Sequence, residues 1–133
     1  RIDIQCEIKA VPYSTLKDAA PGESSEVMRE RVMRARKVQQ QRFAAYNAEA
    51  QKPIHCNAQM TPKLVREFCQ LDAQGDKMLS YAMDKMGLSA RAYDRILKVA
   101  RTIADLCDSP SIGVNHISEA ISYRSLDRED WCG

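Results

Sequence analysis

Gly87-Leu88-Ser89-Ala90-Arg91-Ala92-Tyr93-Asp94-Arg95-Ile96-Leu97-Lys98-Val99-Ala100-Arg101-Thr102-Ile103-Ala104-Asp105-Leu106 is the stretch that decides the fold. Tyr93, Ile96, Leu97, Ala100, Ile103, Ala104 and Cys107 recur at steps of three and four. That spacing lays one apolar stripe along about four turns of helix, the strongest helical period in the chain. Ser89 stands where a hydroxyl N-cap belongs. A stripe of this length has to be buried, so this helix is expected at the centre of a bundle.

The neighbouring segments supply the partners. Thr61-Pro62 reads as an N-cap followed by proline at the first helical position, opening a short helix through Leu64, Val65, Phe68 and Leu71. Met78, Leu79, Ala82, Met83 and Met86 mark a further helix, with Gly87 as its C′ residue and the methionines as adaptable core filler. After Pro110 and Gly113, Asn115 is expected to cap a last helix presenting Ile117, Ala120, Ile121 and Leu126. The tail from Asp127 to Gly133 is polar apart from Trp131. Short links favour a compact bundle.

Upstream, Ser24 or Ser25 caps a long helix reaching Tyr46, with Glu23 and Glu26 at its positive end. Met28, Val32, Ala35, Val38 and Phe43 or Tyr46 form its apolar stripe. Arg29, Arg31, Arg34, Arg36, Lys37 and Arg42 face only Glu26 and Glu30 along the same stretch, which makes the helix basic. Such a face is either solvated or a contact surface, with Arg29, Arg34, Arg36 and Lys37 touching nucleic acid, phosphate or an acidic neighbouring subunit. Residues 48–60, with Pro53, read as a connection. Before all of this, Ile2, Ile4, Cys6 and Ile8 alternate with polar residues, the period of a half-buried strand ending at Pro12. A lone strand cannot bury its edges, so its sheet is expected from a preceding part of a longer polypeptide.

Composition agrees with a mainly α class. The chain has 133 residues, 44% of them hydrophobic, with five glycines and five prolines. That is enough for one domain with a core of its own. No apolar run spans a bilayer, and Arg1-Ile2-Asp3 has no signal-peptide layout, so a cytoplasmic location without membrane contact is expected. Cys6, Cys56, Cys69, Cys107 and Cys132 are odd in number and lack a CxxC pair, which fits reduced thiols better than a disulfide framework. His55-Cys56 with Cys69 is at most half a metal site, and no metal is expected. A net charge of +2 is too small to announce a nucleic-acid partner.

The self-contained catalytic signatures, GxxxxGK[ST], HExxH, GxSxG and GxGxxG, are all absent. His116, in the first turn of the last helix, reads as a surface residue. One position runs against local physics. Arg91 falls in the first turn of the central helix, where unpaired amides and the helix dipole disfavour a cation. Two arrangements offset this, a phosphate group at the helix amino terminus or an ion pair with Asp94.

The long block quoted first resembles the carboxy-terminal signature of magnesium-chelatase-like AAA+ ATPases, specifically the ComM and YifB group. His116 to Arg128, Glu23-Ser24-Ser25, Arg29-Glu30-Arg31-Val32 and Arg1-Ile2-Asp3 support the likeness, which covers nearly the whole chain. The resemblance implies a ring-forming motor with an upstream α/β phosphate-binding core and a helical lid. Residues 1–22 would end the core and residues 23–133 form the lid. It implies that Arg91 is the sensor-2 arginine reaching the ATP γ-phosphate, and that Arg1 is the arginine finger offered to ATP on the neighbouring subunit. ATP and Mg2+ would be bound by the full-length parent, not by this chain alone. The expected partners are the upstream core, neighbouring subunits of a homo-oligomeric ring, and DNA, because the ComM group resembles branch-migration helicases. The alternatives are an independent helical module binding nucleic acid or protein, and a partner subunit of a metal chelatase.

Overall fold

A computed structural model describes residues 3–18 and 22–124. The elements are α1 (Tyr13–Asp18), α2 (Ser25–Glu49), a 3-10 turn (Asn57–Gln59), α3 (Pro62–Phe68), α4 (Ala73–Met86), α5 (Ala90–Leu106) and α6 (Val114–Ser122). The class is mainly α, a helical bundle, as the apolar periods required.

α5 is the hub, packing against α6, α2, α3 and the 3-10 turn, while α4 closes on α6. Its inward face buries Ile96, Leu97, Ala100 and Ala104 against Phe43 of α2, Val65 of α3, Leu79 of α4 and Ile117 of α6. The small residues Ala100, Ala104 and Ala120 are fully or almost fully buried. Short side chains at these positions let the helix axes approach closely. Phe43 and Phe68 meet edge to face at 5.8 Å between ring centroids, pinning the middle of α2 to α3.

Most helix ends form as the sequence prescribed. The hydroxyls of Ser24, Thr61 and Ser89 accept the amides of Val27, Leu64 and Ala92 at 3.2–3.3 Å. Asp72 does the same for α4 through the Gly75 amide at 2.6 Å. Gly87 ends α4 at φ 61°, the left-handed conformation that glycine adopts without a Cβ penalty. Asp108 takes the equivalent place after α5 at φ 56°, and the Ser109 amide closes back onto the Ala104 carbonyl at 2.8 Å.

Five expectations need correction. Residues 3–12 form no strand, and no strand occurs among the described residues. The Gln5 amide donates to the Tyr123 carbonyl at the end of α6, where a strand needs a neighbouring strand. Asn115 does not cap α6. The N-cap is Gly113, whose amide donates to His116 Nδ1 at 2.9 Å. His116 is accordingly buried and closes the first turn of α6, rather than lying on the surface. Cys107 is exposed at the end of α5 instead of joining the core. Finally, the apolar stripe of α2 is buried only from Ala35 onward, leaving Met28 and Val32 exposed. Leu126, Trp131 and Cys132 lie outside the described residues.

No helix among the described residues is long and apolar enough to cross a membrane.

Candidate functional site

Arg91 is the second residue of α5, two positions after the Ser89 cap, and it is exposed. Asp94, the candidate ion-pair partner, does not pair with it, and among the described residues no carboxylate does. The other cations on this side of α5 are engaged. Arg95 Nε lies 3.5 Å from Asp3 Oδ1, which also lies 3.8 Å from Arg124 Nη1. Lys98 Nζ donates to the Ala58 carbonyl at 3.3 Å. Arg91 therefore presents a five-donor fork beside amides that have no intrahelical acceptor. The arrangement suits phosphate oxygens approaching from solvent along the α5 axis.

A cleft of about 470 Å³ opens between α3, α4 and α5, lined in part by Arg66, Asp76, Tyr93 and Asp94. Burial raises the Tyr93 hydroxyl pKa above its ordinary value, and the carboxylates of Asp76 and Asp94 add to the shift. The two carboxylates make the cleft itself unsuited to an anion, so a phosphate group would meet Arg91 at the exposed tip of α5.

The other candidate residues stand apart from Arg91. Arg29, Arg34, Arg36 and Lys37 are each exposed on α2, spread over about 160° of its circumference. Arg31, on the same helix, is tied to Glu23 at 2.6 Å. Val38 lines one hollow with Asp105, Asp108 and Ser109, so this part of α2 sits toward the carboxy-terminal end of α5, whereas Arg91 marks its start. At 1.5 Å per residue the two ends of α5 are about 24 Å apart. One phosphate cannot touch both. Arg1 lies outside the described residues.

Arg42, part of the basic run in the sequence, turns inward instead. Its guanidinium grips Asp105 with two bonds of 2.8 and 2.6 Å and donates to Asn57 Oδ1 at 3.0 Å. Asp105 also accepts from Asn57 Nδ2 at 2.9 Å and lies 3.2 Å from Arg101 Nη2. Arg101 in turn donates to the carbonyls of Ser109 and Pro110, fixing the turn after α5. Gln39 accepts the Asn57 amide at 3.0 Å. Burial pushes the Arg101 pKa below its ordinary value and Asp105 opposes that shift, the signature of a cation kept inside by its partner. This buried network locks α2, the 3-10 turn and α5 into one body. Residue reading missed it, although Arg101 and Asp105 interrupt the apolar face of α5 at i, i+4 spacing, a visible signal.

Among the described residues, no group of three or more His, Cys, Asp and Glu could hold a metal ion. His55 and Cys56 are exposed, whereas Cys69 is buried.

Residues 22–124 match the family described as magnesium chelatase, subunit ChlI C-terminal. The chain is 40% identical over 129 residues to the uncharacterized protein YifB of Escherichia coli, covering 96% of this chain and 24% of that protein. It is 36% identical over 129 residues to the competence protein ComM of Haemophilus influenzae, with 96% and 23% covered. The uncharacterized protein YifB of Salmonella typhimurium matches at 36% with 96% and 24% covered. The chain thus spans about a quarter of the length of the relatives it matches.

Proposed function

The chain belongs to the magnesium chelatase subunit ChlI C-terminal family, and from that premise we propose that it is the helical lid of a ring-forming AAA+ ATPase, with Arg91 as its sensor for the ATP γ-phosphate. The observation that carries this reading is an exposed arginine, unpaired among the described residues, in the capped first turn of the helix that organises the bundle. A cation there works against the helix dipole by a few tenths of a kcal/mol or more. An anionic ligand reverses the sign of that cost, because fork and dipole then act together.

α5 also explains how a phosphate contact would become motion. It packs against α2, α3, α6 and the 3-10 turn, and the Arg42–Asp105–Arg101 network ties it to α2. A pull on Arg91 therefore acts on the bundle as one body, which suits a lid whose orientation follows nucleotide state.

The residues fit a phosphate oxygen but not a complete nucleotide site. The sequence lacks a phosphate loop, and no Mg2+ ligand set accompanies Arg91 among the described residues. Bound ATP would supply the γ-phosphate charge, with Mg2+ and the remaining contacts coming from the rest of the parent protein. Arg1 is proposed as the arginine finger toward the neighbouring subunit, on the family likeness alone. The parent is proposed to act on DNA as a branch-migration helicase of the ComM type, because the similarity reaches a protein named for competence and extends along this whole segment. The test is ATP hydrolysis by the purified 133-residue chain beside the full-length parent. The chain is expected to show none, since a lid supplies one or two of the phosphate contacts. Turnover that co-purifies with the chain contradicts the lid assignment.

A further inference from the structure

α2 outruns the bundle. Its first buried residue is Ala35, so the ten residues from Ser25 to Arg34, about 15 Å of helix, bury no side chain against the bundle. Four large apolar side chains stand on this overhang, Val27, Met28, Val32 and Met33, each between 43% and 57% exposed. Met28 and Val32 lie seven and three residues before Ala35. They continue the stripe that Ala35, Gln39 and Phe43 bury against the bundle. The seam that holds α2 in place therefore runs on into solvent. A solvated helix has no use for such a continuation, whereas an interface does.

The charges around the seam select what covers it. Arg29, Arg34, Arg36 and Lys37 are exposed and form no ion pair with any described carboxylate. Glu23 is spent on Arg31. At about 100° per residue Arg29 and Arg36 flank the Met28–Val32 seam, whereas Glu26 and Glu30 fall on the opposite face of α2, so the rim of the seam carries free cations and no free carboxylate. We propose that this half of α2 is a docking helix for another protein, whose surface offers an apolar strip rimmed by Asp and Glu. The basic face, read above as a contact surface, is thereby committed to a protein partner. Nucleic acid fits less well, because phosphates drawn to Arg29 and Arg36 would strand the apolar seam of Met28 and Val32 beside them. A second copy of α2 fits less well too, since pairing along the seam brings Arg29 and Arg36 of each helix against their equivalents.

The test uses the 133-residue chain with 13C-labelled methionine methyl groups, so that Met28 reports on the seam and Met33, about 120° around the helix from it, on the neighbouring face. The probes are a helical peptide of Leu and Glu with its leucines at seam spacing, the same peptide with Lys for Glu, and a short DNA duplex. Sedimentation of the chain alone over a concentration series accompanies them. The Glu peptide is expected to shift the Met28 signal saturably and more than the Met33 signal, and the Lys peptide to leave both in place. Met28→Ser with Val32→Ser should weaken binding at least about tenfold, because both changes remove apolar area that the peptide's leucines would cover. Arg29→Glu with Arg36→Glu should transfer the preference to the Lys peptide. All four positions lie on the exposed surface, so thermal unfolding should be unchanged and a binding loss is not a folding loss. The proposal is overturned if the duplex or a second copy moves these signals instead, if both peptides bind without regard to charge, or if neither binds. None of these readings involves nucleotide, so such a failure leaves the lid assignment of Arg91 untouched.

Discussion

Asp105→Asn should be among the most damaging single changes in the bundle, and the structure sets its scale. The carboxylate is completely buried, and it answers two guanidinium groups whose side chains are only 11% and 5% exposed. Asparagine is nearly the same size, so packing changes little and only the charge disappears. Arg42 and Arg101 then remain as two buried cations with no counter-charge. Arg101 keeps the carbonyls of Ser109 and Pro110, and Arg42 keeps Asn57. Breaking a buried pair in this way costs about 3–5 kcal/mol. Against a typical domain stability of about 5–15 kcal/mol, that is roughly a fifth or more of the total. Arg101→Met should cost less, because it leaves a neutral, bidentate Arg42–Asp105 pair. Urea unfolding followed by circular dichroism, with the slope m checked for constancy, measures both variants. Asp105→Asn within about 1 kcal/mol of wild type, or Arg101→Met as costly as Asp105→Asn, would refute the charge-balance argument.

Three further expectations concern stability. Burial raises the Cys69 thiol to about 11 from an ordinary 9.0. A raised acid pKa means that the folded chain holds its proton after the unfolded chain has released it, so stability should be level below pH 9 and fall between pH 9 and 11. Denaturant midpoints of wild type and Cys69→Ala across that range should converge as the pH rises. At pH 8, iodoacetamide mass mapping should find Cys6, Cys56 and Cys107 modified and Cys69 protected in the native chain, with that protection disappearing on unfolding. The two left-handed helix ends make opposite predictions, Gly87→Ala destabilising by about 1 kcal/mol and Asp108→Gly neutral to stabilising by up to about 1 kcal/mol. Thermal melts of the pair decide this, and equal shifts of the same sign would contradict it.

What was legible in the sequence was what short-range physics decides. The α5 stripe, the Ser24, Thr61 and Ser89 caps and the Gly87 stop each depend on residues within four positions, and the structure forms all of them. Three readings failed because their outcome depended on distant groups. The alternation of Ile4, Cys6 and Ile8 describes a strand only where another strand lies alongside, and none does among the described residues. Arg42 read as one more surface cation because its partner, Asp105, is 63 residues away. Met28 and Val32 follow a helical period faithfully, but a period shows which face is apolar and not where the neighbouring helix ends. At α6, a histidine takes the capping role expected of Asn115 because the imidazole Nδ1 reaches the Gly113 amide from the third position of the helix. Arg91 was singled out from residue type and helix position, and the structure places it exposed in the first turn of α5, while its role toward phosphate stays a proposal.

The central claim is that Arg91 serves phosphate rather than the fold, and ATP hydrolysis by the full-length parent carrying Arg91→Ala, measured beside its thermal unfolding, tests it most directly. Loss of an arginine finger in phosphoryl transfer costs about three to five orders of magnitude in turnover. The alanine variant should therefore keep or slightly raise its melting temperature, because the packing is unchanged and an opposed dipole is relieved, while turnover falls by at least about tenfold. Arg91→Lys should recover only part of the rate, since a point charge cannot reproduce the planar fork. A variant that melts early while its folded fraction hydrolyses ATP at the normal rate would make Arg91 a structural residue and contradict the account.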